Sequence, residues 1–295
     1  MRIFTRKSSR GKMSKPLGEV LKLSAKYLEE KGIERSRRSA EDLLSSLLCM
    51  KRIDLYMHFD LPLEEKELAS YRTLIKRKVL GEPLEYILGE VAFAGCSFVV
   101  NRHALIPRPE TEILFDLAAS LLEKEDLVNK KAWDLCTGSG VLGISLKKRF
   151  PQLDVVLSDL SQEAIGLALE NGKKNAVEVS CRQGDFLQPF LGERADIVFC
   201  NPPYVSKREY AELGRGVRDF EPEMALVGGE DGLFFYEKLA KELPSFLKPK
   251  AKIFLEIGFM QGESVLALFS APYWKKKWIR KDYSEKDRFF FLEFE

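Results

Sequence analysis

Ala132-Trp133-Asp134-Leu135-Cys136-Thr137-Gly138-Ser139-Gly140 carries a short apolar strand into a glycine turn, and residues 141–148 continue with helical character. Glycine tolerates positive φ and lets the backbone approach a ligand, while the first turn of a helix offers unpaired amides. Outward from this point strands and helices alternate. Strands are expected at 155–158, near Val179, at 196–200, at 252–256, near Trp278 and at 289–291, with helices starting at Ser161 and around 234–247. That alternation predicts an α/β fold: a doubly wound, Rossmann-like parallel sheet with helices on both faces. Ligands of such sheets sit beyond the carboxyl ends of the strands.

Upstream the pattern changes. Val20, Leu21, Leu23, Tyr27 and Leu28 recur at helical spacing, as do Leu43, Leu44, Leu47 and Leu48, then Leu68, Tyr71, Leu74, Ile75 and Val79. Gly32, Asp60-Leu61-Pro62 and Gly81-Glu82-Pro83 punctuate them, which predicts a small N-terminal helical bundle over 17–83. Tyr86-Ile87-Leu88-Gly89 and Phe98-Val99-Val100 flank Gly95 and read as a hairpin inside a linker at 84–106. Pro107-Arg108-Pro109 stops regular structure, and a helix with Ile113, Leu114, Leu117, Ala118, Leu121 and Leu122 on one face opens a second domain over 107–295.

The chain has 295 residues and a formal net charge of +2. The charge is uneven: residues 1–12 hold five bases and no acid, so the remainder carries −3. The segment 1–16 reads as a basic, disordered extension, and the near-neutral body does not suit a stable nucleic-acid partner. No apolar run approaches the roughly 18 residues a membrane helix needs, so a soluble protein is expected. Five scattered cysteines without a C-x-x-C pair, beside only His58 and His103, argue for reduced thiols in the cytoplasm and against a metal site. Both histidines read as structural.

Gly138, Gly140 and Gly143 also satisfy G-x-G-x-x-G, a dinucleotide pattern that is weak alone. Asp159 ends the next strand, where a carboxylate can accept both ribose hydroxyls, and Asp185-Phe186 after the third strand offers a polar partner and an apolar face for adenine. Asp134, before the turn, suits a cationic amino-acid group better than a pyrophosphate, which favours S-adenosylmethionine. Asn201-Pro202-Pro203-Tyr204, directly after the apolar strand, strengthens that reading. Methylating a planar nitrogen calls for two acceptors that orient its N–H groups. The Asn201 side chain and the Pro202 carbonyl supply them, and Tyr204 can stack on the planar group. An Asn-Pro-Pro turn can also be plain loop punctuation, but its place behind a glycine loop and two spaced acids argues for catalysis.

The chain resembles the release-factor glutamine methyltransferases (PrmC/HemK) over about residues 17–295. The resemblance rests on Glu82-Pro83-Leu84-Glu85-Tyr86-Ile87-Leu88-Gly89, Leu105-Ile106-Pro107-Arg108-Pro109-Glu110-Thr111-Glu112 and Phe220-Glu221-Pro222-Glu223. It extends to Gly228-Gly229-Glu230-Asp231-Gly232-Leu233, Leu255-Glu256-Ile257-Gly258 and Gln261-Gly262. It implies methyl transfer from S-adenosylmethionine to the glutamine of a Gly-Gly-Gln loop in peptide chain release factors. It further implies a helical domain that recognises the factor, cofactor contacts at Cys136, Thr137, Gly138, Ser139, Gly140, Asp159, Phe186 and Asn201, beside the Asp185 read above, and a glutamine site at Asn201, Pro202, Pro203 and Tyr204; the enzyme is expected to be a monomer. The alternative is an exocyclic-amine methyltransferase of rRNA or DNA, since Asn-Pro-Pro-Tyr is shared with those enzymes. The family usually has glycine where Cys136 stands, so a backbone contact there is under constraint.

Overall fold

The computed structural model describes residues 15–295, so the expected basic extension lies, apart from Lys15 and Pro16, outside the described residues. The chain divides into two compact units, one running up to Leu88 and the other from Gly89.

The first unit holds α1 (Leu17–Glu30), α2 (Ser36–Leu48), α3 (Arg52–Met57), α4 (Glu65–Val79) and α5 (Leu84–Leu88). Leu17, Leu21 and Leu28 of α1 meet Leu43 and Leu44 of α2 and Tyr71 and Ile75 of α4 in one core. The Tyr71 hydroxyl donates to the Ala40 carbonyl at 2.9 Å, giving a buried ring its polar partner. Leu23 and Tyr27, expected on the buried side, are exposed because helical geometry turns them away from the stripe formed by Leu17, Leu21 and Leu28. Tyr86-Ile87-Leu88, expected as strand, belong to α5, where the Pro83 carbonyl accepts from the Ile87 N–H at 3.1 Å. Adjacent Tyr86 and Ile87 are both buried, which a helix allows and a half-buried strand does not.

The second unit opens with the hairpin β1 (Glu90–Phe93) and β2 (Cys96–Val99), then α6 (Pro109–Leu122), β3 (Lys131–Leu135), α7 (Val141–Arg149), β4 (Asp154–Asp159) and α8 (Gln162–Lys174). It continues through β5 (Ser180–Gln183), β6 (Ala195–Cys200), α9 (Lys207–Glu212), α10 (Arg215–Arg218) and α11 (Phe234–Glu242). It ends with β7 (Leu247–Glu256), α12 (Gly262–Leu268), β8 (Trp274–Lys281) and β9 (Asp287–Phe294). The seven-stranded sheet has the order β5-β4-β3-β6-β7-β9-β8. Five strands are parallel, as the alternation predicted. The last two are not: β9 runs antiparallel between β7 and β8. A tight turn held by the Asp282 carboxylate, which accepts from Ser284 and Lys286 N–H groups, joins β8 to β9, and so short a link permits only antiparallel neighbours. Lys275-Lys276-Lys277 lies on β8, the outer strand, where charge discourages edge pairing.

The period-two alternation of the strands sorts their residues onto two cores. Ile197, Phe199, Phe254 and Phe291 face α6 and α7, whereas Trp133, Val198, Ile253 and Phe290 face α11 and α12. Trp133 stacks on Phe190 with centroids 4.1 Å apart. Each such side chain contributes about 1.5–3 kcal/mol by leaving water.

The carboxamides of Asn171 on α8 and of Asn175, which caps that helix, hold the hairpin onto this unit. Asn175 bonds both the N–H and the carbonyl of Ser97, at 3.1 and 2.8 Å. Asn171, fully buried, does the same for Val99 at 2.7 and 3.0 Å and also donates to the Ser139 carbonyl at 2.9 Å. Asn171→Ala leaves buried backbone groups at Val99 and Ser139 unpaired, so it is expected to destabilise the protein by about 3 kcal/mol, read as a lower denaturant midpoint.

Candidate active site

β3 and β6 are parallel neighbours that end together, with Leu135 opposite Cys200. The next residues on each strand are therefore Cys136, entering the glycine turn, and Asn201, entering the tetrapeptide. After β3 the chain winds outward through β4 and β5, then crosses to β6 on the other side of β3, so the two segments meet where the strand order reverses. A crevice is left at such a point.

The glycine turn is built on two acids, Asp134 buried and Asp159 half-buried. The Asp134 carboxylate accepts from the Thr137 hydroxyl at 2.5 Å and from the Gly143 N–H at 2.8 Å, tying the strand end to the first turns of α7. Asp159 accepts from Gly138 N–H at 2.8 Å and from Ser161 N–H at 3.0 Å, tying the same turn to β4. Gly138 and Gly140 take φ of +54° and +85°, and Cys136 takes +54°. The cysteine thus occupies a left-handed conformation that favours glycine, at a cost of about 1–2 kcal/mol. At Gly143 a Cβ would meet Leu157 at 2.7 Å, so this third glycine serves close helix–strand packing.

A cavity of about 590 Å³ opens beside the turn, and Cys136, Thr137, Gly138, Ser139, Asp159, Asp185, Phe186, Asn201 and Pro203 are all in its wall. Gly140 is not; it caps α7 behind the turn. Pro202 is buried, Tyr204 is half-buried, and neither is among the residues lining the cavity. His103, expected to be structural, does line it. Asp185 has its carboxylate held by the Lys238 ammonium at 2.9 Å, and that ammonium lies 5.4 Å from the centroid of the Phe186 ring. Lys238 was not foreseen, because a lysine within an amphipathic helix carries no local signal.

The tetrapeptide is fixed by residues from distant blocks. Asn201 Nδ2 donates to Glu256 Oε2 at 3.0 Å, and the Tyr204 hydroxyl donates to Glu256 Oε1 at 3.2 Å. The Thr111 hydroxyl donates to Glu256 Oε2 at 2.7 Å. Gln261 Nε2 donates to the Tyr204 carbonyl at 2.9 Å, while its Oε1 accepts from Gly258 N–H. Glu221 braces the approach to α6, accepting from Ile106 N–H at 3.1 Å and from Arg108 at 2.6 Å. Backbone approach demands glycine twice: a Cβ on Gly228 would lie 2.3 Å from the Pro203 carbonyl oxygen, and one on Gly232 would lie 2.2 Å from that of Tyr204. Thr111, Glu221, Glu256 and Gln261 stand in sequence blocks noted above, but nothing local gave their partners. Among the described residues no cluster of three or more His, Cys, Asp or Glu side chains is placed to hold a metal, and no helix is long and apolar enough to cross a membrane.

The fold is that of a methyltransferase. A methyltransferase from Pyrococcus furiosus superposes with a TM-score of 0.50 at 16% identity over 77% of this chain and 98% of its own. A Thermus thermophilus 16S rRNA N2 G1207 methyltransferase does so at 0.50 and 16% over 70% and 50%. Within that class, the "PrmC N-terminal domain" description matches residues 19–89 and the "Methyltransferase small domain" description matches 113–214. The release factor glutamine methyltransferase of Geobacter sulfurreducens is 38% identical over 85% of this chain and 87% of its own length. That of Bacillus cereus is 37% identical over 94% and 99%, and that of Chlamydia trachomatis 38% over 93% of each. The chain belongs to the release factor glutamine methyltransferase family.

The cavity suits S-adenosylmethionine. Asp134 Oδ1 is buried without a hydrogen-bond partner, an acceptor of the kind a cationic ligand satisfies. Burial pushes the Asp134 carboxyl up to about 7, against the opposing bonds from Thr137 and Gly143, with the Asp159 charge adding to the rise. A carboxyl raised in the folded state stabilises the fold while protonated, and that contribution is lost as pH climbs from its unfolded value, about 4, through 7. Without ligand, the wild type is therefore expected to lose stability across this window relative to Asp134→Asn. S-adenosylmethionine affinity should run the other way, strengthening as pH rises through 7 in the wild type and staying flat in Asp134→Asn. Thermal denaturation and titration calorimetry across pH check both.

Proposed function

We propose that this chain transfers the methyl group of S-adenosylmethionine to the side-chain amide nitrogen of the glutamine in the Gly-Gly-Gln loop of peptide chain release factors. The observation that carries the reading is the Asn201 carboxamide, whose nitrogen is tied to Glu256 while the residue faces the cavity beside the glycine turn. Family membership supports the same substrate. The cofactor supplies, when bound, an electrophilic methyl group on a sulfonium. Asp134, Asp159, Phe186 and the turn from Cys136 to Ser139 are the residues to hold it, with Asp185 and Asn201 at the cavity wall.

Asn201 Oδ1 and the Pro202 carbonyl accept the two N–H groups of the target amide, Pro203 stiffens the turn, and Tyr204 flanks the planar group. Two acceptors on one nitrogen settle its orientation and favour the positive charge that grows on it during transfer. No strong base is required, because the proton turns acidic once the nitrogen is alkylated. The unit ending at Leu88 is the proposed release-factor recognition domain, and the unit from Gly89 onward, hairpin included, is the proposed catalytic domain. The enzyme is read as a cytoplasmic monomer without a stable nucleic-acid partner.

Incubation with labelled S-adenosylmethionine and a purified release factor, followed by peptide mass analysis, tests the reading. One methyl group on the loop glutamine is expected, absent when Gly-Gly-Gln is changed to Gly-Gly-Ala; transfer to RNA or DNA alone would overturn the substrate. Asn201→Ala should lower kcat by about 100-fold or more while the Kd for S-adenosylmethionine changes by less than about threefold. Equal loss of both would remove Asn201 from its role.

A further inference from the structure

Glu256 closes β7 and is fully buried, and among the described residues it forms no ion pair, the Arg288 charge acting on it without a direct contact. Its carboxylate instead collects three donors from two separate segments: Thr111 on α6, and Asn201 and Tyr204 in the tetrapeptide that follows β6. Burying a carboxylate is costly unless its oxygens are hydrogen-bonded, so a group placed here at the carboxyl edge of the sheet calls for an explanation.

The geometry explains what the carboxylate does. A carboxamide can be turned over at little steric cost, since its oxygen and nitrogen are nearly alike in shape. Turned over, Asn201 would set its Oδ1 against Glu256 Oε2, two acceptors in contact, and would offer N–H donors to the cavity. As placed, Nδ2 lies 3.0 Å from Glu256 Oε2 and 3.3 Å from Thr111 Oγ1. Thr111 spends its proton on Glu256 and so meets Asn201 with a lone pair. Both neighbours of Nδ2 are thus acceptors, and only one orientation satisfies them. A donor bonded to a carboxylate also polarises its own amide, which strengthens Oδ1 as an acceptor. The same carboxylate takes the Tyr204 hydroxyl at 3.2 Å and so fixes the swing of that ring.

We propose that Glu256 is the positioning residue of the transfer: acting through Asn201, with Thr111 as its partner, it holds the carboxamide oxygen toward the target amide. The proposal rests on the reading of Asn201 as the acceptor for that amide. Burial raises the Glu256 carboxyl above its ordinary value, while Thr111, Arg288 and Tyr204 oppose the rise.

The test is a double-mutant cycle on the full chain with Glu256→Gln and Asn201→Ala, measuring kcat and KM for release factor, Kd for S-adenosylmethionine and Tm. Glutamine keeps the shape and removes the charge and one acceptor. Glu256→Gln alone is expected to lower kcat by about 10- to 100-fold, with KM and the cofactor Kd within about threefold of wild type. On the Asn201→Ala background it should cost less than about threefold further, because the carboxamide it positions is gone. The full factor in both backgrounds, or a cofactor Kd that weakens in step with kcat, would overturn the proposal. Thr111→Val, nearly isosteric, serves the same cycle if Glu256→Gln does not fold, and the same non-additivity with Asn201→Ala is expected. If the wild type methylates an amine of RNA or DNA and no release factor, the function reading fails alone. The cycle run on that substrate still decides the role of Glu256.

Discussion

The active site depends on two parallel strands ending level with one another. Because Leu135 pairs with Cys200, the residues that follow them are set side by side at the point where the strand order reverses. Neither the glycine turn nor the Asn-Pro-Pro-Tyr segment has regular structure to fix its direction. Each inherits its position from a strand buried on both faces. A shift of β6 by one residue against β3 would exchange the Val198 and Phe199 faces between two cores, and the packing of both forbids it.

Around that constraint, single side chains hold irregular backbone in place. Asp134 and Asp159 clamp the glycine turn from below and from the side. Gln261 bonds the Tyr204 carbonyl, and Gly228 and Gly232 allow a second loop to lie against Pro203 and Tyr204 without room for a side chain. Buried backbone outside strands and helices must find partners somewhere, and here carboxylates and carboxamides supply them. The acids and amides near the site are therefore dense even where they touch no reactant.

Much of this architecture is legible in the sequence. The strand–turn–helix at Asp134 to Gly140 and the apolar strand before Asn201 announce both the fold and the crevice, since strand burial and glycine conformational freedom are local properties. The 84–88 segment misleads because Tyr and Ile suit a strand as well as a short buried helix, and only the proline before it and the contacts around it choose. The antiparallel β9 is hidden because Phe289–Phe291 would suit either direction; the turn at Asp282 decides it. The partners of Glu256, Gln261 and Lys238 lie far away in the chain, 55 residues in the case of Glu256 and Asn201, and no spacing rule reaches that far. Cys136 is the residue whose difficulty could be seen in advance, because a side chain at a glycine-like turn carries a cost wherever the turn is formed.

Asn171 has a consequence beyond the stability it contributes. One carboxamide grips the last residue of the β2 strand and, through the same nitrogen, the Ser139 carbonyl inside the glycine turn. The hairpin and the nucleotide end of the cavity therefore share an opening equilibrium: fraying of one frees the other. A ligand that keeps the turn closed also protects the Val99 amide from exchange with solvent, and by reciprocity anything that steadies the hairpin tightens the ligand. The hairpin, which contributes no atom to the reaction, is in this sense a thermodynamic reporter of cofactor occupancy.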